Sequence, residues 1–239
     1  MPERREFDTT RWSVVLAAAE SPSPDSREAL ATLCRDYWYP LYAYARRRMG
    51  DANEAQDLIQ EFFALLLEKN IIASADPNRG RFRSFLLKTP EHFLGNAWAK
   101  TTTQKRGGGN RPMSLDVDAG ERRYVLEPAD HLTAEKLYER RWAETLLDRV
   151  MDRLRHELVR AGKQAHFDHL KVFLAGRAAN VSYAETAQQL RMSEGAAMVA
   201  AHRLRKRYRE LLLAEIGQTV AEPCEVEDEI RRLFAVLGD

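Results

Sequence analysis

Two stretches of the chain concentrate positive charge in a way that could hold a polyanion. From Arg79 to Arg111 the bases Arg79, Arg81, Arg83, Lys88, Lys100, Lys105, Arg106 and Arg111 face the single acid Glu91, and Phe82, Phe85, Phe93 and Trp98 are interleaved. Cations neutralise phosphates and aromatic faces compensate an unstacked base, so this composition suits single-stranded nucleic acid. Phe82, Phe85 and Trp98 either stack on bases or pack inward, as aromatic residues at helical spacing commonly do. The second cluster, Arg203, Arg205, Lys206, Arg207 and Arg209, falls within two helical turns. It follows Ser193 and Glu194, where a helix can begin and its free amides can face a phosphate.

The helix that starts there has two faces. Ala197, Ala201, Leu204, Tyr208 and Leu211 form a stripe at core spacing, leaving Ala196, Met198, Val199, Ala200 and Arg203 outward. Before it, Ser182 and Glu185 make a capping box for a shorter helix, Arg191 and Met192 make a turn, and Ala187 is small enough for a close helix crossing. This is the outline of a helix-turn-helix, whose second helix would enter the major groove. Its first two turns lack side chains that read bases by paired hydrogen bonds. Discrimination would then fall to apolar contact with thymine methyls, to groove shape and to Arg203.

Catalytic chemistry is not expected. There is no phosphate loop with its lysine, no nucleophile elbow and no carboxylate pair in surroundings that would perturb protonation. His166-Phe-Asp-His169 offers ligand types without a third ligand nearby, and Gly107-Gly-Gly109 reads as a hinge. Neither a metal nor a cofactor is implied.

The elements that must position these clusters are helical. With 44% hydrophobic and 31% charged residues, but only 12 Gly and 9 Pro in 239, the composition excludes collagen-like and disulfide-scaffold chains. Helical periodicity covers Arg11 to Ala19, Arg27 to Met49, Ala52 to Lys69, Arg83 to Thr101, Ala134 to Val159 and three further segments through Leu213. The expected fold is all-α, with two small helical domains (26–106 and 134–216) joined by a flexible linker (107–133) rich in Gly, Pro, Asp and Asn. Residues 1–25 add a helix whose Trp12, Val15 and Leu16 pack on the first domain. Residues 217–239 form an acidic amphipathic extension with Ile230, Leu233, Phe234 and Leu237 at helical spacing.

The 37 basic and 36 acidic side chains leave a formal net charge of +1, because acids such as Glu222, Glu225, Glu227, Asp228 and Glu229 collect away from the basic clusters. Cys34 and Cys224 read as reduced thiols, and no apolar run is long enough to span a bilayer, so a cytoplasmic location with no export signal and no membrane contact is expected.

One helix carries more apolar arc than a single core face requires. In Asp57 to Leu67 the polar relief is only Asp57, Gln60 and Glu61, so the helix either lies deep or offers Leu58, Phe62 and Leu65, flanked by carboxylates, to a partner.

Together the segments Tyr39-Pro-Leu-Tyr-Ala-Tyr-Ala-Arg-Arg-Arg48, Asp57-Leu-Ile-Gln-Glu-Phe62 and Phe82-Arg-Ser-Phe-Leu-Leu87 resemble region 2 of an extracytoplasmic-function (ECF) type sigma factor of the bacterial sigma-70 family. Ser193-Glu-Gly-Ala196 and His202-Arg-Leu-Arg-Lys-Arg-Tyr-Arg-Glu-Leu211 resemble its region 4. The likeness covers about Arg27 to Ile216 and leaves a C-terminal extension. It implies that Asp57, Gln60, Glu61 and Phe62, on the helix with Leu58 and Leu65, bind the clamp helices of the polymerase beta-prime subunit. It further implies that Arg79, Arg81, Arg83, Lys88, Asn96, Trp98, Lys100, Lys105 and Arg106 open and hold the -10 promoter element. Ser193, Glu194, Ala196, Met198, Val199, Ala200, Arg203, Lys206 and Arg207 would read the -35 element.

The chain departs from the family where Thr89-Pro90 interrupts a helix, where Asn96 replaces a common Asp, and where Met198 and Ala200 replace Lys or Arg. The implied function is promoter-specific transcription initiation with core RNA polymerase and promoter DNA as partners, and with room for an inhibitory anti-sigma protein. The alternative from the residues alone is a dimeric stand-alone helix-turn-helix regulator. The tail, on either reading, is expected to dock its apolar face on one domain and restrain DNA access.

Overall fold

The computed structural model describes residues 11–20, 23–68, 71–76, 81–89, 117–126, 131–174, 182–220 and 223–238. Every regular element among them is helical, as expected of an all-α chain. In chain order these are α1 (Arg11–Ala19), α2 (Pro24–Met49), α3 (Ala52–Glu68), α4 (helical over 82–89), α5 (Val117–Leu126), α6 (Ala134–Arg160), α7 (Gln164–Leu170), α8 (Tyr183–Gln189), α9 (Glu194–Gly217) and α10 (Val226–Gly238). Two compact units are formed: Met1–Glu144 together with Gly217–Asp239, and Thr145–Ile216.

The first unit is built on α2. Ser23 and Ser26 exchange side-chain to backbone hydrogen bonds in a capping box with Pro24 following, which starts the helix three residues earlier than its apolar pattern suggests. Gly50, at φ 76°, ends it with its N–H bonded to the Arg46 carbonyl. Between these ends Leu33, Cys34, Tyr37, Leu41, Tyr42, Ala43, Tyr44 and Ala45 are buried, and α1 and α3 pack on this helix. Burial pushes the Cys34 thiol up to about 12, so it behaves as an apolar packing group. The Asp51 carboxylate accepts from the amides of Asn53 and Glu54 at 2.8 and 2.9 Å, opening α3. Trp12 and Val15 of α1 are buried, whereas Leu16 is exposed.

Two expectations about organisation need correction. The stretch 107–133 is not featureless, because it contains α5, which packs on α2. Glu121 accepts from the Tyr42 hydroxyl at 2.5 Å and from Arg46 at 3.2 Å, and the Arg123 guanidinium lies 4.3 Å from the Tyr39 ring centroid. Gly120 made the segment look like a loop, yet a Cβ there would meet the Trp38 ring at 2.8 Å, so glycine is what lets the helices approach. The expected boundary also moves. The compact units part at Glu144–Thr145, within α6, and residues 217–239 return to the first unit.

The second unit holds the remainder of α6 with α7, α8 and α9. Leu146, Val150, Leu154, Phe167, Leu170, Ala197, Ala201, Leu211 and Ile216 form its interior. Glu215 is buried among them and lies 3.5 Å from both Arg149 and Arg153, so its charge is compensated.

Candidate functional site

Helix α3 resolves the choice left open by its apolar arc. Leu58 and Phe62 are 6% and 2% exposed, inside the core beside Ile59, Phe63 and Leu66, so neither can belong to a contact surface. The arc is wide because the helix is covered on more than one side: α2 and the 3-10 turn Ile71–Ser74 both pack on it. Leu65 and Gln60 are half-buried, while Asp57 and Glu61 are exposed one helical turn apart. What α3 offers outward is an acidic edge.

The first basic stretch is also rearranged. Arg79, Asn96, Trp98, Lys100, Lys105 and Arg106 lie outside the described residues, and Lys88 is exposed. Phe82 is core: it meets Trp12 and Tyr37 edge to face at 6.0 and 5.5 Å and stacks on half-buried Phe85 at 5.8 Å, which removes it from the base-stacking candidates. Arg83 is a correction of the same kind. It is 5% exposed, its Nε donates to Glu139 at 2.7 Å, its Nη1 donates to Glu229, and its guanidinium carbon lies 4.1 Å from the Trp142 ring centroid. Burial works against the Arg83 cation, but Glu139 and Glu229 outweigh it and hold its pKa above the usual guanidinium value. Arg81 is half-buried with its Nε 2.7 Å from Glu229. Burial, with Arg83 and Arg232 as like-charged neighbours, lowers its pKa against the pull of Glu229. These two arginines face inward to a carboxylate, not outward to DNA.

In the second unit the caps lie where the sequence puts them. Ser182 accepts from the Glu185 amide at 3.0 Å, and the Glu185 carboxylate accepts in return from the Ser182 amide at 3.4 Å. Ser193 accepts from the Ala196 amide at 3.2 Å, opening α9. The turn between α8 and α9 passes through Arg191 at φ 54°, a left-handed conformation that glycine adopts at less cost. Ala187 is buried at the crossing, as are Ala197, Ala201, Leu204 and Leu211 along the inner stripe.

Outward, Glu194 and Ala196 are exposed, Met198 and Val199 are 45% and 49% exposed, and Ala200 is half-buried. Arg203, Lys206 and Arg209 are exposed. Ala196, Val199, Ala200 and Arg203 also border an open groove whose other wall is Leu154, Leu158 and His166. Arg205 turns back to the Phe173 carbonyl at 3.3 Å and to the Tyr183 hydroxyl. Arg207 is held bidentately by Glu157 at 2.8 Å and by Glu210 at 3.0 Å, so of the expected phosphate contacts it alone is tied down by acids of its own unit. The Arg207 hydrogen bond keeps the Glu157 carboxyl below its usual value.

A family model recognises a portion of the chain that takes in α2 from Leu33 on, α3 and α4, with their tyrosine-rich core and acidic outer edge. Residues 33–102 match sigma-70 region 2. No curated protein and no solved structure gives a match. The region 2 match, to less than a third of the chain, supports a sigma-factor role in transcription initiation, with core RNA polymerase and promoter DNA as partners. Among the described residues no helix is long and apolar enough to cross a membrane.

Sequence reasoning missed Glu229. Its signal was present, since it stands four residues before Leu233 and therefore on the buried side of α10. Phe234, assigned to that side, is 55% exposed.

Proposed function

We propose that the chain is an ECF-type sigma factor that joins core RNA polymerase through the outer edge of α3 and reads the -35 element with α9. The single observation that carries this is the region 2 match over residues 33–102. The exposure of Asp57 and Glu61 on α3 supports it, because two carboxylates a turn apart give a charged edge to a partner helix. Gln60 and Leu65 flank that edge, whereas Leu58 and Phe62 act only by holding the helix in place. Opening of the -10 element falls to the basic stretch from Lys88 onward, including Asn96, Trp98, Lys100, Lys105 and Arg106.

On α9, Arg203 and Lys206 neutralise phosphates while Met198 and Val199 supply the contact surface. Apolar side chains of this size read thymine methyl groups, so the -35 preference rests on methyls and groove shape. Replacing deoxythymidine by deoxyuridine in the selected element then weakens binding by up to about 0.8 kcal/mol per contacted methyl.

The reading is tested by mixing the chain with core polymerase and comparing the variant Asp57→Arg/Glu61→Arg. The wild type is expected in the polymerase peak and the variant, with an unchanged helical spectrum, outside it. A wild-type chain that stays apart as a stable dimer and binds palindromic DNA would favour the stand-alone regulator instead.

A further inference from the structure

The acidic tail ends in a helix that inserts one carboxylate between two arginines of α4. Glu229 is fully buried; Oε1 accepts from Arg83 Nη1 and Oε2 lies 2.7 Å from Arg81 Nε. Glu139 completes the pairing of Arg83 at 2.7 Å, and Arg232 on α10 is a further cationic neighbour of Arg81. Three guanidinium groups therefore face two carboxylates. The cluster carries one net positive charge with α10 docked, and because Arg232 departs with Glu229 that net charge is unchanged when the helix lifts; what changes is that Arg81 and Arg83 lose the carboxylate seated between them.

The remaining attachment of α10 is light. Leu233 is the one apolar side chain of α10 that is fully buried; Val226, Ile230, Val236 and Leu237 are half-buried and Phe234 is 55% exposed. A helix of 13 residues has little stability of its own, so its docking depends on the carboxylate at its buried face. Terminal segments held by so few buried groups open at lower free energy than the whole domain.

A phosphate presents the same oxygen geometry to a guanidinium fork as a carboxylate does. We propose that α10 is a releasable latch, keyed by Glu229, that occupies an anion-binding position at Arg81 and Arg83 and yields it to the phosphate backbone of DNA when the helix lifts. The proposal rests on the sigma-factor reading only in naming DNA as the polyanion.

The test uses the full chain and three variants, Glu229→Ala, Arg81→Ala and the double variant. The probe is a mixed-sequence single-stranded DNA oligonucleotide at low salt. Amide exchange over 226–238 is expected to quicken at least about a hundredfold in Glu229→Ala. Affinity for the oligonucleotide should rise about tenfold, with a salt dependence steeper by about one phosphate contact. Arg81→Ala should quicken exchange over 226–238 yet leave oligonucleotide affinity little changed, because it removes a phosphate partner along with the latch contact, and it should cancel the affinity gain in the Glu229→Ala background. In Glu229→Ala, faster exchange with unchanged affinity would make α10 a structural clasp and overturn the proposal, as would unchanged exchange. Should Glu229→Ala also loosen α2, Glu229→Gln in the full chain, which removes the charge but keeps an oxygen for the Arg83 fork, gives the same decision: a gain that Arg81→Ala cancels supports the latch, and no gain overturns it. No polymerase enters the assay, so its outcome is separate from that of the sigma-factor reading.

Discussion

Arg81–Arg83 and Arg203–Arg209 are both basic clusters on helices, yet the first is folded into an ionic core and the second remains largely at the surface. The difference lies in acids far away in sequence. Glu139 and Glu229 come to Arg83 from 56 and 146 residues away, whereas around Arg203 and Lys206 the nearby acids Glu157 and Glu210 are taken up by Arg207. A local excess of cations marks where phosphate could bind, and the long-range partners decide whether it does.

The sharpest way to break this contrast is to truncate one arginine from each cluster. Arg83→Ala removes one of the two guanidinium partners of Glu229 together with the pairing of Glu139 and the stacking on Trp142, and should cost on the order of 2–3 kcal/mol in urea unfolding. Arg203→Ala should leave unfolding within about 0.5 kcal/mol and weaken DNA binding instead. Equal stability losses at the two positions would erase the distinction.

Smaller effects sharpen it. Gly120→Ala forces a methyl against the Trp38 ring and should destabilise the first unit by about 1–3 kcal/mol despite the better helix propensity of alanine, as read from the urea midpoint. Arg191→Gly relieves a positive φ in the second unit and should raise its melting temperature, corresponding to roughly 0.5–1 kcal/mol. Among the described residues, Glu121 in the first unit and Glu157 in the second have carboxyls held below the usual value of 4.5. Burial opposes this at Glu121, where Tyr42 and Arg46 outweigh it, and Arg207 is the main cause at Glu157. A depressed folded pKa contributes stability above the unfolded value, which is lost as pH falls through the folded one. Both units should therefore weaken below about pH 4.5, by less than about 1 kcal/mol for each partly exposed pair. Acid titration followed by amide exchange would show it.

Much of the fold was legible because local chemistry declares it. Ser182 with Glu185, Ser193, and the stripe from Ala197 to Leu211 are short-range signals, and the structure places them as read. What escaped depended on contacts between distant segments. Gly120 reads as a loop residue until Trp38 lies against it, and the apolar arc of α3 reads equally as core or as partner ridge until α2 and the Ile71–Ser74 turn are seen to cover it. The candidate site followed the same division. The exposure of Met198, Val199, Arg203 and Lys206 could be read from one helical period, but the loss of Arg83 to the interior could not be foreseen without Glu229.

The most direct measurement is reconstituted transcription with core polymerase and the purified chain on a pool of promoter fragments. Initiation at defined start sites is expected with wild type, and its loss with Asp57→Arg/Glu61→Arg. Start sites that form equally well with that variant, or with no added chain, would contradict the sigma-factor reading.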